Sequence, residues 1–174
     1  MKTKDMTLVA VMAALLCVAG PLSIGQPVPL SLCSFAVYMA GIVLGWRKGA
    51  LAVLVYLLIG LVGVPVFSGF TGGFQKIAGL TGGYLMGYLP CAALAGLGIR
   101  DGETRPRRAC LLPLMLVAGT AALYVVGTGW FMVQSGNALT ASLSLCVIPF
   151  LPGDAAKIAV ASILAWPVRR AIYR

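Results

Sequence analysis

Apolar and polar positions along this chain fall into blocks rather than alternating. Six mostly apolar runs stand between short polar clusters: Met6 to about Leu22, about Leu30 to Trp46, Ala50 to Val64, about Leu80 to Ile99, Cys110 to about Val133, and about Gly153 to Ile172. A membrane-spanning helix needs about 20 mostly apolar residues, and each run approaches that length. The pattern predicts an all-α integral membrane protein with six transmembrane helices, built as a single domain over residues 1–174. The first run has no small-residue cleavage pattern leading into a polar mature segment, so it reads as a retained helix rather than a signal peptide.

Composition supports lipid as the solvent. The chain is 60% hydrophobic and 10% charged, with a mean hydropathy of +1.00. A soluble domain carries about a quarter charged residues. The net charge of +9 does not point to nucleic acid, because the 13 basic residues sit at the ends of apolar runs and make no basic face.

Their placement orients the spans instead. With the N-terminus in the cytoplasm, Lys2, Lys4, Arg47, Lys48, Arg100, Arg105, Arg107, Arg108, Arg169, Arg170 and Arg174 all fall on the cytoplasmic side. Basic residues mark the cytoplasmic flank of membrane helices, so both termini are expected inside. Lys76 and Lys157 are the two exceptions, and they single out the outer face. Cys110 is expected near the inner surface, Cys33 and Cys146 towards the outer half.

Two outer features carry candidate chemistry. The connection from Val66 to Tyr84, VFSGFTGGFQKIAGLTGGY, interleaves glycines with Phe67, Phe70, Phe74 and Tyr84. Irregular backbone at membrane depth survives only where protein or a cavity covers it. A folded outer lid fits this composition better than a flexible loop, since rings fill space while glycine permits close approach to a ligand. The second feature is FLPGDAAK, Phe150 to Lys157. Pro152 and Gly153 mark a helix start, which puts Asp154 at the positive end of the helix dipole and Lys157 three residues on, on the same face. A capping aspartate with a snorkelling lysine would give the same spacing. A charge near mid-membrane costs on the order of 3 kcal/mol, however, and such residues usually face an interior site. The pair offers an acceptor for N–H groups and a donor for a carbonyl or carboxylate, which suits a small polar-headed molecule with an apolar body.

Other chemistry is poorly supplied. The chain has no histidine and its five cysteines form no CxxC pair, so no metal site or disulfide framework is indicated. A membrane enzyme would need a nucleophile, base or metal, and a proton-coupled transporter a carboxylate well inside a span; neither is easily assembled here. No Walker-type phosphate loop is present, so energy from ATP would have to come from partners.

At this point the chain resembles the BioY family, the biotin-binding substrate-binding subunits (S components) of energy-coupling-factor transporters. The resemblance runs over nearly the whole length. It is carried by VPLSLCSFAVYMAGIVLGWRKGALAVLVYLLIGLVGVPVF, by GFTGGFQKIAGLTGGYLMGY and by FLPGDAAK; the last two match the family's TGGY-L-x-G and F-x-PGD-x-x-K patterns. The resemblance implies a six-helix fold with a biotin pocket near the outer face. Asp154 and Lys157 would belong to that pocket, Asp154 accepting from the ureido N–H groups and Lys157 donating to the ureido carbonyl or the valerate carboxylate. Phe67, Phe70 and Tyr84 would cover the rings, Gly73 and Gly83 would permit close approach, and Thr81 and Gln75 are further candidates. After VPLSL the family often has Gln-Thr where this chain has Cys33-Ser34, with Gln26 or Gln75 as substitutes for the missing amide. The family also implies a coupling transmembrane subunit and two ABC-type ATPases. Ala10 and Ala14 on the first helix, small residues four apart, would form the docking face. An S component for another small vitamin is the alternative within transport.

Overall fold

The computed structural model describes residues 3–24, 30–99 and 111–173. Each of the six apolar runs coincides with a helix. These are α1 (Thr3–Ala19), α2 (Cys33–Leu44), α3 (Trp46–Leu61), α5 (Gly82–Leu97), α6 (Leu111–Ser135) and α8 (Leu151–Ile172). Two further helices were not expected: α4 (Phe74–Ala78) within the glycine-rich connection, and α7 (Leu139–Cys146), which leads through a 3-10 turn at Ile148–Phe150 into α8. A two-residue antiparallel pairing, β1 (Ser23–Ile24) with β2 (Leu30–Ser31), precedes α2.

The helix α2 is shorter than its apolar run, and the cause is local. Gly45 has φ +79°, the left-handed region that favours glycine. The chain turns there, so Arg47 and Lys48 enter the first turn of α3 instead of forming a loop. At the other end Leu30 and Ser31 belong to the β pairing, and the Ser31 hydroxyl accepts the Cys33 N–H at 2.9 Å.

α2 packs against α1, α3, α5 and α8. It is apolar on all sides, as a helix enclosed by others must be. α5 turns Gly83, Gly87, Cys91 and Ala95 inward and packs most extensively against α6; small side chains let two backbones approach closely. Buried tyrosines satisfy their hydroxyls within this core: Tyr38 shares a hydrogen bond with Thr120 at 2.7 Å, and Tyr56 donates to the Val66 carbonyl at 3.1 Å.

Polarity is distributed inside out. Along α8 the buried residues are Asp154, Ala161, Ala165 and Arg169, a single helical stripe. Ile163 on its other face is 71% exposed while Arg169 is 2% exposed. Burying charge and exposing large apolar side chains is unfavourable in water and favourable in lipid. Two stretches, Leu111–Ser135 and Leu139–Ile172, are long and apolar enough to cross a membrane.

Charge also separates the two ends of the bundle. At one end the Lys4 ammonium donates to the Ile172 carbonyl at 2.9 Å, Lys48 pairs with Asp5 at 2.8 Å, and Arg169 donates to the carbonyls of Ile42 and Val43. Lys2, Arg100, Arg105, Arg107, Arg108, Cys110 and Arg174 lie outside the described residues.

Candidate functional site

At the opposite end, the start of α8 meets the start of α2. Asp154 and Lys157 occupy the first two turns of α8 and face inward, their side chains 10% and 13% exposed. The Lys157 ammonium donates to Asp154 Oδ1 at 3.0 Å, to the Ser31 carbonyl at 2.8 Å and to Ser34 Oγ at 2.9 Å. The other carboxylate oxygen, Oδ2, accepts the Tyr124 hydroxyl at 2.5 Å. The pair ties α8 to α2 and α6 through largely buried side chains.

This cluster forms part of the wall of a cleft of about 600 Å³, measured to its open mouth. Ser31 comes from β2 and Ser34 from α2, Leu123 and Tyr124 from α6, Phe150 from the 3-10 turn, and Phe67, Ser68, Lys76, Thr81 and Tyr84 from the glycine-rich connection. Phe67 is fully buried, with its ring edge-on to Tyr56 at 5.6 Å between centroids. It begins a tight loop in which the Phe67 N–H donates to the Thr71 carbonyl at 2.8 Å. Tyr84 shares a hydrogen bond with Thr128 at 3.1 Å. A wall that is mostly apolar and aromatic, with a few convergent polar groups, is the usual form of a small-molecule site. Among the described residues no three of His, Cys, Asp and Glu come together as metal ligands.

A sequence model described as the BioY family matches residues 1–174. The chain belongs to the BioY family. A probable biotin transporter BioY from Pyrococcus horikoshii is 39% identical over 166 residues, covering 95% of this chain and 96% of that protein. A biotin transporter BioY from Rhizobium etli is 34% identical, covering 94% and 92%. The fold also matches a crystal structure of the S-component for biotin from an ECF-type ABC transporter. That match has a TM-score of 0.85 and 29% identity, over 98% of this chain and 95% of the other. A transporter subunit of this family is a membrane protein and not an enzyme.

Of the residues to which the BioY resemblance pointed, Asp154, Lys157, Tyr84, Thr81 and Phe67 converge on the cleft. Four others lie elsewhere. Phe70 is exposed at the tip of the Phe67–Thr71 loop, and Gln75 is exposed on α4. Gly73 has φ +88° ahead of α4, with open space where a side chain would stand; Gly83 packs against α6, where a Cβ would lie 2.2 Å from that of Trp130. The Cys33–Ser34 departure contributes through Ser34, which holds Lys157, while the Cys33 thiol sits 3.7 Å from the Tyr56 hydroxyl. Gln26 lies outside the described residues.

Tyr124, Ser31 and Ser34 were missed by sequence reasoning, yet the sequence carried a signal for each. Thr120, Tyr124 and Thr128 recur every four residues in an apolar run, a hydroxyl stripe along one face of a helix. Each finds a polar partner: Tyr38, Asp154 and Tyr84. Ser31 and Ser34 stand three apart and both meet Lys157.

Proposed function

We propose that this chain is the biotin-binding S component of an ECF-type uptake transporter, with residues 1–174 as one substrate-binding unit. The observation that carries this reading is the buried Asp154–Lys157–Tyr124 cluster opening into an aromatic-walled cleft. It supplies what biotin requires: an anionic acceptor for ureido N–H groups, held in place by Lys157 and Tyr124, and apolar walls for the thiophane ring. Likeness to the S-component for biotin supports the same ligand.

In this reading the six long helices cross the membrane with both termini cytoplasmic. The Lys4–Ile172 contact and the cluster of basic residues at that end support the orientation. The cleft then faces outward, and the 66–84 connection acts as its lid. Cys33 in the first turn of α2 and Cys146 on the cleft wall lie on the outer side. Transport requires a coupling transmembrane subunit and two ABC-type ATPases. Ala10 and Ala14 are both exposed on α1, which suits a close helix contact with the coupling subunit in lipid.

Titration calorimetry of the detergent-purified protein with biotin, thiamine and riboflavin tests the assignment. Binding of biotin alone is expected. Binding of either other vitamin in preference would move the chain to an S component of different specificity. Replacing Ala10 and Ala14 together by Trp should leave biotin binding intact and abolish co-purification with a coupling subunit.

A further inference from the structure

The cleft wall holds three charged side chains, Lys76, Asp154 and Lys157. Asp154 and Lys157 neutralise each other at 3.0 Å. An ammonium has three donors, and those of Lys157 go to Asp154, the Ser31 carbonyl and Ser34. Lys157 therefore cannot take a ligand carboxylate without giving up a bond it already makes. Lys76 is different. It is half-buried on α4, lines the same cleft, and among the described residues its ammonium has no hydrogen bond or ion pair. The wall is left with an excess of one positive charge.

The backbone that carries Lys76 is held from several sides. Ahead of α4, the Gly73 N–H donates to the Gly60 carbonyl at 2.7 Å, tying the segment to α3. Behind it, two side chains of α6 reach across: Trp130 Nε1 donates to the Gly79 carbonyl at 2.9 Å, and Gln134 Nε2 to the Ala78 carbonyl at 2.8 Å. A cation on a fixed turn, at an apolar wall and with no protein counter-charge, is arranged for an anion that comes with the ligand.

We propose that Lys76 reads the ligand's carboxylate and makes the site select a free acid over its neutral amide. The inference rests on the biotin reading and adds a division of labour to it. Asp154, with Lys157 and Tyr124, takes the ureido end, and Lys76 on the lid takes the carboxylate end. Lys76 then supplies the compensating charge from a backbone already held in place.

Binding of biotin and of biotinamide is measured on the full chain and on Lys76→Gln and Lys76→Arg. The wild-type protein should bind biotin at least about tenfold more tightly than biotinamide, the scale of one charge-assisted hydrogen bond. Lys76→Gln should bring biotin affinity down to that of biotinamide and leave biotinamide affinity unchanged, which also shows that the variant is folded. Lys76→Arg should retain the preference. A Lys76→Gln protein that still prefers the acid by the wild-type margin overturns the role of Lys76 and leaves the biotin reading intact. A wild-type protein that binds both ligands equally does the same. A wild-type protein that binds neither overturns both.

Discussion

The helices α2 and α8 meet at both ends through a buried cation, and the two meetings differ. At the cleft end, Lys157 is held by a carboxylate, a hydroxyl and one carbonyl. At the other end, Arg169 is held by the Ile42 and Val43 carbonyls, with its guanidinium 5.1 Å from the centre of the Tyr173 ring. The last carbonyls of a helix have no intrahelical partner and carry the negative end of its dipole. Arg169, with the Tyr173 hydroxyl on Val43, meets that demand for α2 and locks the two helices together. Lys157 instead pairs with an acid that lines the cleft. The same pair of helices thus uses one cation to join their ends and places the other at the wall of the cleft.

Removing the lock should have the largest effect. Arg169→Ala leaves the Ile42 carbonyl without its charged donor, at about 1.5–3 kcal/mol before relaxation, while the Val43 carbonyl keeps the Tyr173 hydroxyl at 3.0 Å. A net loss near 3 kcal/mol would lower the detergent melting temperature by about 10 °C. Biotin affinity of the folded protein should stay within about twofold of wild type. A tenfold loss of affinity with stability unchanged would mean that the two ends are not separate in role.

Next come the charges of the site. Asp154→Asn keeps the shape but weakens the acceptor, so biotin affinity should fall at least about tenfold; Lys157→Ala should do likewise. Wild-type affinity in both folded variants would reduce the pair to a cap. In the 66–84 connection, a large side chain at Gly83 would meet Trp130, so it should disturb the α5–α6 packing first. A side chain at Gly73 would have open space but would have to adopt φ +88°, so it should strain the turn ahead of α4. Hydrogen exchange of the 66–84 segment should slow when biotin is added, and unchanged protection would break the lid assignment.

The smallest effects sharpen the comparison further. Tyr124→Phe removes one donor to Asp154 and leaves the ring in place. A neutral donor to a charged acceptor is worth about 1.5 kcal/mol, about a tenfold loss at most, and Ser34→Ala should cost less because Lys157 keeps two partners. If Ser34→Ala proved as damaging as Asp154→Asn, the orientation of Lys157 would govern affinity rather than the carboxylate.

How much of this was legible follows from the range of each interaction. Apolar runs, basic flanks and a Pro-Gly start are local, so the positions of the six long helices and the charged pair at Asp154 and Lys157 could be read from the chain. The turn at Gly45 was not placed, because the basic Arg47-Lys48-Gly49 triplet looked like a loop, whereas the backbone breaks two residues earlier. α4 and α7 went unseen because five- and eight-residue helices have no apolar period long enough to detect. The membrane class, the helix positions and the acid–base pair were determined by the sequence itself, since they depend on residue type and near-neighbour spacing. Tertiary structure alone decided that Ser31 from β2, Ser34 from α2 and Tyr124 from α6 would join that pair, and that Gly83 would serve helix packing. It also decided that all three donors of Lys157 would be taken while Lys76 lines the cleft with no hydrogen bond or ion pair among the described residues. Those outcomes depend on which faces of distant helices meet, and spacing within one helix does not encode that.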